Sequence, residues 1–528
     1  MFAPNLTDLN GPTGEAQLPK VDPEFADALD FPSLSVWHLK ELRHGGRVVK
    51  SMPLMPETRR CQDLTWAVLF LMTVALTLGV AYSHLDAVNS SAIDDEMDEE
   101  GLTEKQTHVK LLAKYLWTVV LAGVVGAGAS LVYAFVFLIL ASSSATCVVY
   151  TALYGVSAMM VVCGLSLMFV GASSISSAAL DSDKYFTLIG GAFLTAFGFR
   201  YFLLVRYGWQ QYIPFTIVMV ETVAIIADDQ PCMIVVSMLG SLLSICWSAV
   251  VFIAMIGVQL RSQDAFANQA DFVTAVILCA VLLLLWGGGI ITNICHTVYC
   301  GLFGRWYFGH DDGPMLLPSI QAATATSFGS ICLGSLLVAS VRVVQYLARE
   351  AEEQAKSQCN PVLGILWYIL MTVFSCMVAC IGDILEYFNH WAYVQRAIRG
   401  ASFCQAARIT FSMVTCANIK YIISDMMIVS VVSMGALFCW LVGASVGAVV
   451  GFICSQGAEA SDAYFVCYYC ALMGSVGGHS AGASALSIVG SGVQTLLVCW
   501  AEDSQPLQDS RPEIHDMLCD KLRRAGAR

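Results

Sequence analysis

Apolar runs long enough to cross a bilayer recur in this chain from Leu64 to Trp500. Roughly ten can be told apart, each on the order of 20 residues. Backbone groups in lipid must be satisfied within the segment, so runs this apolar read as helices. The expectation is an all-α, polytopic integral membrane protein with about ten transmembrane helices. Composition agrees: 57% of the residues are hydrophobic and 13% charged, against about 25% charged in a soluble domain.

Several function classes fall away at once. The net charge of -13 gathers in one loop (Asp86, Asp94, Asp95, Glu96, Asp98, Glu99, Glu100, Glu104), and no basic face of the nucleic-acid-binding type exists. The 20 cysteines lie mainly inside apolar runs without regular spacing, where cysteine acts as a small hydrophobe, so no disulfide framework is expected. Cys467-Tyr-Tyr-Cys470 has CxxC spacing but no βαβ context. Gly478-His479-Ser480-Ala481-Gly482 fits the GxSxG nucleophile elbow, which requires a strand, a sharp turn and a helix; here it lies within the last apolar span, in a glycine-rich segment (474–484) expected to be loosened. No P-loop, HExxH or dinucleotide fingerprint stands in a supporting context, so neither an enzyme, a cofactor nor a metal is expected.

Taken in order, residues 1–63 form a polar N-terminal segment carrying Lys40, Arg43, Arg47, Lys50, Arg59 and Arg60 close to the first span. Positive charge beside a span favours the cytoplasm. There is no short apolar region near Met1, so no cleaved signal peptide is expected. The first span, near Leu64–Tyr82, leads to the acidic loop, which is then outside and holds the sequon Asn89-Ser90-Ser91, an expected glycosylation site. A second sequon at Asn5 lies on the wrong side. Spans two and three meet at ASSSA (141–145), and span four ends in Arg200 and Arg206, inside. Ile213–Ile226, with Glu221, is too short to span and reads as a helix lying on the cytoplasmic interface, Glu221 pairing with Arg200 or Arg206 or serving as a gate. The loop from Arg342 to Pro361 falls outside by parity. Arg396, Arg399 and Arg408 suggest amphipathic helices at the cytoplasmic face. Gly443, Gly447 and Gly451 repeat at four-residue spacing and form a groove for a neighbouring helix. The membrane domain covers 64–500, and a cytoplasmic tail covers 501–528.

The stretch that most resembles a solute path follows VILCAVLLLLW (Val276–Trp286). Gly287, Gly288 and Gly289 each lower helix propensity by about 1 kcal/mol and are expected to loosen the helix at membrane depth. Asn293, His296 and Thr297 follow on one helix face, as polar groups of a pathway or as hydrogen bonds between helices.

Five blocks carry a family resemblance. RRCQDLTWAVLF (Arg59–Phe70), NICHTVYCGLFGRWYF (Asn293–Phe308), SFGSICLGSLLVA (Ser327–Ala339), NHWAYVQRAIRGASFCQAA (Asn389–Ala407) and LLVCWAED (Leu496–Asp503) resemble signature blocks of the choline transporter-like solute carriers. The short first outside loop is similar to that of the compact branch of this family. Val298 and Cys300 replace the usual Thr and Ala. The resemblance implies transport of choline or a related small organic cation by alternating access or facilitated diffusion. A non-transporting lipid-handling or scaffold protein of the same fold is the alternative. Ser327, opening the most specific block, joins the pathway candidates. A quaternary ammonium has no N–H to donate, so aromatic rings would have to hold it, at about 0.5–2 kcal/mol per ring; Trp286, Trp306, Tyr307 and Trp367 are the candidate walls, with interface anchoring the other reading of Trp306 and Tyr307. The expected partners are such a cation and membrane lipids, with a monomer favoured and the plasma membrane the expected location.

Overall fold

Each apolar run becomes a helix, because only helix closes its own backbone hydrogen bonds in lipid. The computed structural model describes residues 61–85, 115–174, 182–262, 269–309, 315–356, 361–416, 419–456, 460–502 and 505–526. The Asn89 and Asn5 sequons and most of the acidic loop lie outside these residues. The elements are α1 (Leu64–Ser83), α2 (Leu116–Ser174), α3 (Ser182–Leu203), α4 (Ile213–Asp229), α5 (Cys232–Ser262), α6 (Gln269–Tyr307), α7 (Leu316–Gln321), α8 (Phe328–Lys356), α9 (Pro361–Arg399), α10 (Phe403–Cys416), α11 (Ile419–Cys454), α12 (Ala460–Glu502), α13 (Gln505–Ser510) and α14 (Pro512–Gly526).

Among the described residues nine helices are long and apolar enough to cross a membrane. One of them, α2, leaves helical geometry at Ser144 (φ -148°, ψ 50°). That break falls within the ASSSA turn and divides α2 into two runs, each long enough to cross, so the chain is an all-α polytopic membrane protein with about ten passes. Leu76, Phe193, Phe199 and Phe252 remain exposed on the outside of the bundle, as a lipid-facing surface requires.

Two groups of helices can be distinguished. In one, α2, α3, α11 and α12 pack together; in the other, α1, α5, α6, α8, α9 and α10 do so, and α12 joins them through α5, α6 and α9. The first group meets backbone to backbone. A Cβ on Gly451 would stand 2.9 Å from Cys467 Cα, and one on Gly126 2.8 Å from the Gly474 carbonyl oxygen. Gly443 and Gly447 face Gly474 and Cys470 in the same way.

Three expectations are corrected. The Gly287–Gly289 triplet does not open a helix, since α6 runs unbroken from Gln269 to Tyr307. The glycine-rich segment around His479 likewise stays helical within α12. The helix of Ile213–Asp229 does not lie on a surface: Phe215, Val218, Met219, Val223 and Ile226 are all buried, and α4 packs against α2, α11, α12 and α14. In each case neighbouring helices supply contacts that local propensity does not include.

Candidate functional site

A cleft of about 690 Å³ opens between α6, α8 and α9, with His479 of α12 at its wall. One end is charged. There the Arg342 guanidinium donates to Asp383 Oδ1 and to Glu386 Oε2, both at 2.7 Å, and Arg349 stands beside it. Its apolar wall comes from Val281, Leu284 and Leu285 of α6. Gly288 and Gly289 follow on that wall, and a Cβ on Gly288 would meet nothing within 4 Å. These glycines keep the helix and leave the cleft its width.

The other end is polar and tied together. Asn293 Nδ2 donates to Ser335 Oγ at 3.0 Å, and Asn389 Nδ2 donates to the Gly334 carbonyl at 2.9 Å. Both asparagines line the cleft, and each amide oxygen keeps its capacity to accept. Behind this floor, buried Tyr393 donates its hydroxyl to the Ile331 carbonyl at 3.4 Å. His390 lines the cleft, and the ring of buried His296 stacks edgewise on it at 4.7 Å. His296 Nε2 lies 3.0 Å from the His390 carbonyl and Nδ1 2.7 Å from Ser491 Oγ. A carbonyl only accepts, so Nε2 carries the proton and Nδ1 accepts from the serine.

About 10–12 Å further along α8 and α9, at 1.5 Å per residue, lies a second polar cluster. Arg396 is 1% exposed. Its Nε donates to Ser327 Oγ at 3.1 Å and its Nη1 to the Gly400 carbonyl at 2.8 Å. Further bonds reach the Ala401 and Thr326 carbonyls. Gly400, at φ 72°, turns the chain out of α9 in the left-handed conformation that glycine adopts freely. Asp63, just before α1, accepts from Ser330 Oγ at 2.5 Å and from the Phe403 N–H at 3.1 Å.

The structure thus brings Asn293 to the cleft and places His296 one ring behind it. Thr297 is turned inward, its hydroxyl donating to the Asn293 carbonyl at 2.7 Å, and Ser327 belongs to the Arg396 cluster. The four candidate aromatic walls do not converge. Trp286 lies outside the cleft lining: its Nε1 donates to the Cys332 carbonyl at 3.0 Å, and its ring packs against Phe70 at 5.1 Å. Trp306 and Tyr307 are buried at the other end of α6, where Arg511 covers the Trp306 ring at 4.2 Å and donates to its carbonyl at 3.2 Å. Trp367 is 44% exposed on the bundle's outer surface. Glu221 is half-buried and pairs with neither arginine; Arg206 donates instead to Gln210 Oε1 at 2.6 Å. The rings that do line the cleft are Tyr346, His390 and His479.

Arg396 and Arg399 also depart from expectation. Of the segment read as amphipathic surface helices, the part with Arg396 and Arg399 is the buried last third of α9, while Arg408 stands on α10, whose described residues alternate between buried and exposed. Arg396 was legible as a motif member, not as a buried hub, because a cation near a span end ordinarily faces water. Asp425, 1% exposed on α11, accepts from Trp391 Nε1 at 3.2 Å; an acid bordering an apolar run was the signal available for it.

Fold and site together define a polytopic membrane protein with a solute-sized cleft, charged at one end and polar at the other. Residues 192–505 match the family model described as plasma-membrane choline transporter, which is more than half the chain, and the protein belongs to that family. Among curated relatives, a protein named PNS1 from Gibberella zeae is 27% identical over 320 residues, covering 59% of this chain and 58% of its own. A CTL-like protein from Dictyostelium discoideum is 25% identical over 312 residues, covering 58% and 52%. A PNS1 from Mycosarcoma maydis is 26% identical over 312 residues, covering 58% of each. The chain therefore spans between about half and three fifths of the length of these relatives.

Proposed function

We propose that the protein carries choline or a related small amino alcohol across a membrane by alternating access through the α6–α8–α9 cleft. The carrying observation is the cleft's polarity: it runs from the Arg342 ion pairs to the hydrogen-bonded Asn293, Ser335 and Asn389, beyond which Arg396 and Asp63 tie helix ends together. A solute could enter from the Arg342 end and leave only after the floor and the Arg396 cluster had parted. With the N-terminal segment and the arginine-rich end of α9 on the cytoplasmic side, the cleft as found opens outward, and the plasma membrane is the proposed location.

The lining supports a hydroxyl-bearing cation. Uncommitted amide oxygens at Asn293 and Asn389 can accept the solute hydroxyl, and the Tyr346 ring with the Glu386 carboxylate can face the ammonium. The solute is held here more by polar groups than by a ring cage.

The test is uptake of labelled choline into liposomes holding the purified protein, together with its melting temperature across a choline series. A ligand that binds only the folded state must raise that temperature as its concentration passes Kd. Saturable uptake and a choline-selective shift, absent with lysine, are expected. Folded protein showing neither for choline nor for ethanolamine would favour the non-transporting reading.

A further inference from the structure

Asp63 occupies the residue before α1, where an aspartate ordinarily caps its own helix by accepting from the second or third N–H. Here it makes no such bond. It sits at φ 57°, ψ 32°, a left-handed conformation that residues other than glycine adopt only occasionally. Its carboxylate reaches across to two other helices instead: Ser330 Oγ on α8 and the Phe403 N–H that starts α10. The backbone follows, for a Cβ on Gly329 would come within 2.7 Å of the Gln62 carbonyl oxygen. Arg396 lies within Coulombic reach of Asp63 and ties the end of α9 to the chain entering α8 through Ser327 and the Thr326 carbonyl. Four chain segments are joined beyond the polar end of the cleft by one carboxylate and one guanidinium.

From this geometry we infer that Asp63 and Arg396 form the latch that seals the cleft on the side of the N-terminal segment, and that the latch must part in each transport cycle. Asp63 is a positioning residue. A capping aspartate diverted from its own helix holds α1 against α8 and α10 only while the end is shut; released, it can cap α1 and relax toward an ordinary conformation. A hydrogen bond to a charged group can shift a two-state population at least about tenfold, a bias that a bound solute can offset. The inference rests on the transport reading for its purpose, but the latch can be read without any solute.

The reporter is Cys332, fully buried between Trp286 and Tyr393. Cys439, fully buried in the glycine-packed group, is the internal control. Full-length protein in detergent is treated with a polar maleimide, and labelling of each cysteine is followed by peptide mass spectrometry. Both are expected to be protected in the unaltered protein. Asp63→Asn and Ser330→Ala should each raise the Cys332 rate by at least about tenfold, as loss of a bond to a charged group implies, with Cys439 unchanged. Ser330→Ala removes one hydroxyl and keeps the helix, so it carries the test if Asp63→Asn does not fold. Unchanged protection of Cys332 in folded Ser330→Ala, or equal exposure of both cysteines, overturns the latch. Failure of choline uptake with selective Cys332 exposure would overturn the choline reading and leave the latch standing.

Discussion

The two helix groups are held together by different means. Between α2, α11 and α12 the backbones touch: Gly126, Gly443, Gly447 and Gly474 leave no room for a side chain. Between α6, α8 and α9 the helices stand apart around a cleft and are linked by side chains, Asn293 to Ser335, Asn389 to Gly334, and Trp286 to Cys332. Lipid offers no hydrophobic drive for helix association, so close packing and hydrogen bonds must supply it. A glycine seam has one good register and gives way all at once. A set of side-chain bonds worth about 0.6 kcal/mol each, on the average for membrane helices, can be exchanged one at a time. In the proposed transport cycle the seam would serve as the fixed frame and the cleft group as the part that moves.

The sharpest way to break this comparison is to put the same change into both groups. Gly474→Val places a side chain against the backbone of Gly443 and Gly447, where no rotamer change relieves the clash. Its cost should exceed the about 1–3 kcal/mol of ordinary overpacking, read as loss of monodisperse protein or a large fall in melting temperature. Gly288→Leu fills open space in the cleft. It should hold or raise the melting temperature, since replacing glycine in a helix gains up to about 1 kcal/mol. Uptake should nevertheless fall at least about tenfold, the equivalent of about 1.4 kcal/mol. If Gly474→Val folds normally, or if Gly288→Leu transports normally, the division into frame and moving part is wrong.

Trp286 sharpens the same point. As a cage wall, Trp286→Ala and Trp286→Phe would both weaken choline binding. As packing against Phe70 with a bond to the Cys332 carbonyl, the alanine variant should lose about 3–5 kcal/mol of stability. The phenylalanine variant should lose about 1 kcal/mol, near the worth of one hydrogen bond, with the choline concentration giving half-maximal uptake unchanged. Melting curves and uptake on the two variants separate these cases, and a choline-specific defect in folded Trp286→Phe would restore the cage.

What could be read in the sequence divides along the same line. The spans, the turn at Ser144 and the four-residue spacing of Gly443, Gly447 and Gly451 are local signals, carried by hydropathy and period. The cleft is not local. Whether Trp286 faces a solute or Phe70 depends on a residue more than two hundred positions away, and an aromatic side chain in an apolar run looks the same in both cases. Arg396 misleads for a related reason: a cation near a span end reads as facing water, and only the carbonyls of Thr326 and Ala401, brought from another helix and a following turn, make its burial tolerable. Gly287–Gly289 read as a break because propensity favours one, but tertiary packing holds the helix and uses the missing side chains for space.

The smallest expected effect lies at the charged end. Arg342 bridges Asp383 and Glu386 at 2.7 Å, with Arg342 27% exposed and the acids 68% and 46% exposed. Ion pairs so exposed contribute about 0–1 kcal/mol and are screened by salt. Asp383→Asn should therefore shift the melting temperature little, and any shift should vanish as salt is raised. Its effect on uptake should be larger than its effect on stability, because freeing Arg342 adds positive charge at the mouth through which a cation must pass. Uptake by Asp383→Asn should fall at low salt and recover at high salt. A salt-independent loss of stability would instead mean that this end is as firmly built as the glycine seam, and that the cleft group is not the moving part.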